Sequence, residues 1–177
     1  MTETQPPAAS ANFRWIALSG FAAALVVILV FYGTAEDLAG IWWRSETFAH
    51  GLVVLPISIW LIWNLRVSLA REPLQPSIVA LLPLALAGFG WLLGEATSIA
   101  ALSHFSLIAM LVAAVWAVWG NALAWKAVFP LAFLFFGVPF GEFLVPTLMH
   151  YTADFTVAAL RLSGIPVYRE GLQFVIP

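Results

Sequence analysis

The chain has 177 residues, 63 % of them hydrophobic and 9 % charged, with a formal net charge of −2 and no cysteine. A soluble domain is about 45–50 % apolar and about 25 % charged, so an ordinary water-soluble fold is excluded and a bilayer is the solvent that fits. The charge balance, without a basic run, gives no support for nucleic-acid binding, and the missing cysteines exclude disulfides, thiolate metal sites and a cysteine nucleophile within these residues.

Residues 1–14 read as a disordered cytoplasmic tail, because MTETQPPAASAN is polar and rich in Pro and Ala. The apolar run after Arg14 is too long for a signal-peptide core and has no clear small-residue cleavage pattern, which predicts a retained anchor. Runs free of Asp, Glu, Lys and Arg then predict spans at about 15–35, 47–65, 73–94, 99–119 and 122–140, with a break at Gly120-Asn121. Pro130, Gly137 and Pro139 predict kinks in the fifth span, and Pro83 a bend in the third.

The basic residues set an expected orientation. With the N-terminus inside, the inner segments hold Arg14, Arg66, Arg71 and Lys126, and the outer loops of the first five spans hold only Arg44. The nine tryptophans fall near predicted span ends, as an aromatic belt would.

Residues 146–163 read as an amphipathic helix. At about 100° per residue, His150, Asp154 and Arg161 share one side, with Leu148, Phe155, Val157 and Ala159 opposite. This helix either lies in the outer interface or enters the bundle with its polar stripe towards a cavity. The tail 164–177 reads as a short extracytoplasmic β-hairpin arm, with a polar turn at Tyr168-Arg169-Glu170-Gly171. The predicted fold is therefore an all-α multi-pass membrane protein of about five to six transmembrane helices, with one amphipathic or re-entrant helix and the arm.

Two polar clusters are candidates for function. In RSETFAHG, Glu46 and His50 are spaced i, i+4 where the second span begins, and on a helix they would share a face. They read either as a polar pair supporting a site or as an interfacial cap in which Ser45 or Glu46 satisfies helix amides. The second cluster is His150, Asp154 and Arg161, which reads either as a solvated helix side or as part of a site. His104 reads as a packing histidine, Glu95 as a loop-end residue, and no metal site or cofactor is predicted.

Three stretches carry a family resemblance: WWRSETFAHGLVVLPISIWLIW, FPLAFLFFGVPFGE and GIPVYREGLQFVIP. In order and spacing they resemble the exosortase/archaeosortase family, nearest its exosortase A branch. The resemblance implies a multi-pass protein of the bacterial inner membrane, a cysteine protease or transpeptidase that processes PEP-CTERM sorting signals of exported proteins, usually alongside exopolysaccharide production. Such an enzyme would attack a peptide bond with a thiolate, assisted by Arg and His. The family's cysteine block is expected shortly after the REG…IP segment. The chain is accordingly expected to be an N-terminal portion, inactive as a peptidase alone, with none of the three catalytic residues assignable in it. Glu46, His50, His150, Asp154, Arg161, Arg169 and Glu170 then become candidates for lining a substrate cavity or supporting the site. The partners implied are the lipid bilayer and PEP-CTERM proteins; the oligomeric state stays open. A non-catalytic membrane scaffold or a transporter fragment is the alternative, although the charges cluster at span ends rather than mid-span.

Overall fold

The computed structural model describes residues 7–139, 145–163, 168–170 and 173–175. The chain divides into two units, Met1–Pro139 and Phe140–Pro177. The first unit contains α1 (Pro7–Val30), α2 (Tyr32–Arg44), α3 (Gly51–Asn64), α4 (Arg66–Ala70), α5 (Leu81–Thr97), α6 (Ala100–Trp119), α7 (Asn121–Lys126) and α8 (Val128–Phe133). The 3-10 turns Ile78–Ala80 and Leu134–Gly137 precede α5 and follow α8. The second unit contains α9 (Val145–Leu162) and the strands β1 (Tyr168–Glu170) and β2 (Gln173–Val175).

Among the described residues, three helical stretches are long and apolar enough to cross a membrane: Asn12–Val30, Ile78–Thr97 and Ala100–Trp119. The other predicted spans take different forms. α3 has 14 residues, about 21 Å at 1.5 Å per residue, against a hydrocarbon core of about 30 Å. The segment 122–140 is broken into α7, α8 and a 3-10 turn up to Gly137. Pro130 explains the break, because it lacks the N–H that would bond Lys126 O four residues earlier, and the helix interrupts at Ala127. Residues 73–77 are not helical, so the third helical stretch starts at Ile78, and Pro83 lies in the first turn of α5 rather than mid-span.

The start of the chain also differs from expectation. α1 begins at Pro7, so residues 7–14 of the predicted tail are helical, while residues 1–6 lie outside the described residues. Asn12 ties this end down: its amide donates to Ala70 O at 2.8 Å and Glu72 O at 3.0 Å. The predicted outer loop around Glu36 and Asp37 is the helix α2. It buries Thr34, Leu38 and Trp42 at four-residue spacing and exposes both carboxylates.

α6 is the most buried of the three long helices, and α1, α2, α5 and α7 pack on it. The α5–α6 hairpin is close because α5 presents small residues. Gly90 and Gly94, spaced i, i+4, face Ser106 and Ser103, and a methyl on either glycine would overlap the serine hydroxyl. Ser98, at φ 55, ends α5 in the left-handed conformation. Gly120 has φ 83, and its Cα lies so near Gln75 O that no side chain fits. Two apolar clusters result. One gathers Val27, Leu38, Trp42, Leu107, Met110 and Leu134; the other gathers Ile16, Leu69, Val115, Trp119, Leu123 and Leu131.

In the second unit α9 buries Ala153 and Val157, while Leu148 and Phe155 of the predicted apolar side are exposed. β1 and β2 pair antiparallel, with Tyr168 opposite Val175 and Glu170 opposite Gln173. Arg169 and Glu170 therefore lie in a strand rather than a turn; the connection at 171–172, like Gly164 and Pro166, lies outside the described residues.

Candidate functional site

The turn Ser45–His50 separates α2 from α3, and it is short because Ser45 accepts the Phe48 N–H on its hydroxyl (3.3 Å). Of the two roles read for Ser45 and Glu46 as caps, this bond serves the turn and not the amides of α3, whose flanking residue His50 makes no side-chain cap. Glu46 and His50 are not on one helical face, since residues 46–50 form turns, and both are exposed.

The His50 ring points instead at backbone carbonyls. Nδ1 is 3.1 Å from Thr47 O, and Nε2 is 3.1 Å from Phe136 O in the 3-10 turn after α8. A neutral ring donates to one of the two, and a protonated ring donates to both. One residue further on, Gly137 O accepts the indole N–H of Trp42 at 2.6 Å, in a buried bond. Two adjacent carbonyls at the end of a 3-10 turn, which lacks onward helical partners, are thus taken by side chains from α2 and from the turn ahead of α3.

Glycines make this approach possible. A Cβ on Gly51 would overlap the Trp42 indole, and one on Gly137 would come 3.1 Å from Trp42 Cζ2 and 3.8 Å from Val54 Cγ1. Trp42, His50, Gly51, Phe136 and Gly137 form one clamp that joins WWRSETFAHG to FLFFGVPFG. Sequence reasoning singled out His50 here and missed Trp42, Gly51 and Gly137. The available signal was a pair of tryptophans on an amphipathic helix, the first at the spacing of the buried residues Thr34 and Leu38.

A second polar place joins α2 and α5. The Trp91 indole donates to Thr34 Oγ1 at 2.9 Å, on the wall of a cavity of about 220 Å³ that Asp37 and Glu95 also line. Asp37 lies on α2, and Glu95, expected at a loop end, lies in the last turn of α5. His104 is buried on α6. Among the described residues no group of three His, Cys, Asp or Glu side chains is placed to hold a metal ion.

The remaining predicted site residues lie in the second unit. His150 and Asp154 are exposed on α9 at i, i+4 spacing. The side chain of Arg161 and those of Arg169 and Glu170 lie outside the described residues. Nearby hydroxyls are used locally: Thr156 donates to Thr152 O, and Ser163 to Leu160 O, each at 2.8 Å.

The model of the transmembrane exosortase family matches residues 42–177, from the clamp tryptophan onward. The chain belongs to the transmembrane exosortase family. No curated protein and no solved structure matches it.

Proposed function

We propose that the chain is the membrane part of an exosortase-like cysteine protease or transpeptidase that processes PEP-CTERM sorting signals, seated in the bacterial inner membrane with its N-terminus in the cytoplasm. The observation that carries this reading is the family match over 42–177, whose first residue, Trp42, belongs to the clamp. The excess of basic residues in the predicted inner segments supports the orientation.

In this reading the clamp fixes the backbone of the Phe136–Gly137 turn, next to which substrate is held, and His50 is its exposed member. Glu46 in the first unit, and His150, Asp154, Arg161, Arg169 and Glu170 in the second, are the candidates for binding substrate or supporting the chemistry, with the β1–β2 pair as an extracytoplasmic arm. None of the 177 residues is a thiol. The nucleophile of a cysteine mechanism is therefore not among them, and these residues supply binding and orientation.

The test is a PEP-CTERM reporter co-expressed with this chain, and separately with these residues joined to the cysteine-containing segment of another family member. The 177 residues alone should leave the reporter uncut, while the cysteine-containing fusion should process it. Processing by the 177 residues alone would overturn the assignment of their role.

A further inference from the structure

A groove of about 560 Å³ runs between α6 and the broken pair α7–α8 in the first unit. It exists because Pro130 splits what would be one helix, and because Ala122, Ala124 and Ala132 stand where larger side chains would fill the gap. Val112, Leu131 and Phe135 line it as well, and Trp116 and Trp125 are at its Asn121 end. Its volume lies within the range of about 300–1,000 Å³ typical of ligand sites, which pair an apolar lining with a few placed polar groups.

The polar group here is Asn121. The Trp116 indole, which can only donate, lies 2.7 Å from Asn121 Oδ1, so that atom is the oxygen and the amide assignment is fixed. Ser77 also donates to Oδ1, at 2.8 Å. The oxygen is thus doubly used, whereas the exposed Asn121 amide nitrogen has no partner among the described residues. The groove therefore ends in a hydrogen-bond donor flanked by two indoles, the residues that favour the bilayer interface. The adjacent cation, Lys126, is paired with Glu72 at 2.7 Å, which leaves no net charge to select an anionic head.

We propose that this groove binds one acyl chain of a bilayer glycerophospholipid, with an ester or phosphate oxygen on the Asn121 amide. The ester and phosphate oxygens of a glycerophospholipid are acceptors, which the Asn121 amide N–H groups can serve while Oδ1 stays with Trp116 and Ser77. The proposal is independent of the sorting reaction and stands or falls without it.

The experiment uses the purified 177-residue chain in detergent micelles with a phosphatidylethanolamine carrying a diazirine midway along one acyl chain, followed by irradiation and peptide mapping. Labelling should concentrate in 112–135, saturate, and be competed equally by unlabelled phosphatidylethanolamine and phosphatidylglycerol. Ala132→Phe should abolish it while labelling of the exposed Phe21 and Phe89 faces persists. Asn121→Asp keeps an oxygen for Trp116 and Ser77 but removes the donor, so it should cause the same loss with an unchanged thermal midpoint; this variant decides the matter if Ala132→Phe does not fold. Labelling no denser in the groove than on α1 and α5, or unaffected by Asn121→Asp, would overturn the proposal. So would preferential competition by free palmitate, or protection of the groove by a second copy in a cross-linked dimer.

Discussion

Two buried indoles, Trp42 and Trp119, are used in parallel ways at different places in the first unit. Each lies against a glycine that has no room for a methyl group: Gly51 for Trp42 and Gly20 for Trp119. Each donates its N–H to a backbone carbonyl of another element, Gly137 O at 2.6 Å and Ile16 O at 2.9 Å. Each belongs to its own apolar cluster. The difference lies in the acceptors. Ile16 O is inside α1, where the helix supplies its own donor, and it also accepts the Ser19 hydroxyl. Gly137 O ends a 3-10 turn, where Trp42 is its side-chain donor and His50 bonds the carbonyl beside it. Furthermore, the Trp119 contacts at Ile16 and Gly20 precede the family match, which begins at Trp42. The same packing device holds two helices together at one place and fixes a turn beside exposed polar groups at the other.

Truncation should show the resemblance first. Trp42→Ala and Trp119→Ala should each cost about 3–5 kcal/mol, the range for deleting a buried large aromatic, read from denaturation midpoints in detergent. A loss confined to one of them would break the parallel. The glycines come next. Gly51→Ala and Gly20→Ala should each cost about 1–3 kcal/mol by overpacking. Gly33→Ala, where nothing lies within 4 Å, should gain about 0.5–1 kcal/mol from the lower entropy of the unfolded chain. Equal effects at the three sites would remove the steric argument.

Removing only the N–H should then separate the two places. Trp42→Phe strands a buried carbonyl and should cost about 1–3 kcal/mol, whereas Trp119→Phe should cost less because Ile16 O keeps its other donors. The smallest effect is expected at the Lys126–Glu72 pair, whose side chains are 34 % and 30 % exposed. Glu72→Gln should change stability by less than about 1 kcal/mol, and less again in high salt.

What was legible in the sequence followed from properties that act residue by residue. The span 99–119 and its stop at Gly120 were readable because α6 is apolar on all sides and ends in a residue only glycine can be. α9 was readable from its polar stripe. α2 was not, because a search for charge-free runs passes over a helix that buries Thr34, Leu38 and Trp42 while showing Glu36 and Asp37 to solvent. The fifth span looks continuous in sequence because a proline can merely kink a helix, yet at Pro130 the lost bond to Lys126 O divides it in two. At the candidate site, His50 could be singled out as a polar residue in apolar surroundings. Its partner could not, since Phe136 contributes a carbonyl, which no residue type advertises, from 86 positions away. Trp42 and Trp119 were read as interface residues for a similar reason: both are buried, at 7 % and 4 % exposure, and only the fold shows which indoles tie elements together and which, like Trp15, Trp43 and Trp125, are exposed.

In the proposed function the Trp42 clamp serves the reaction and the Trp119 tie serves the fold. These roles separate in the processing of a PEP-CTERM reporter by the 177 residues joined to the cysteine-containing segment of another family member, comparing His50→Ala with Trp119→Phe and measuring the thermal midpoint of each. His50→Ala should lower processing by on the order of tenfold to a hundredfold, as misplacement by about 1 Å can, with little change in midpoint. Trp119→Phe should lower the midpoint and leave processing of the folded protein intact. Full processing by His50→Ala, at a midpoint equal to that of the parent, would contradict this division of roles.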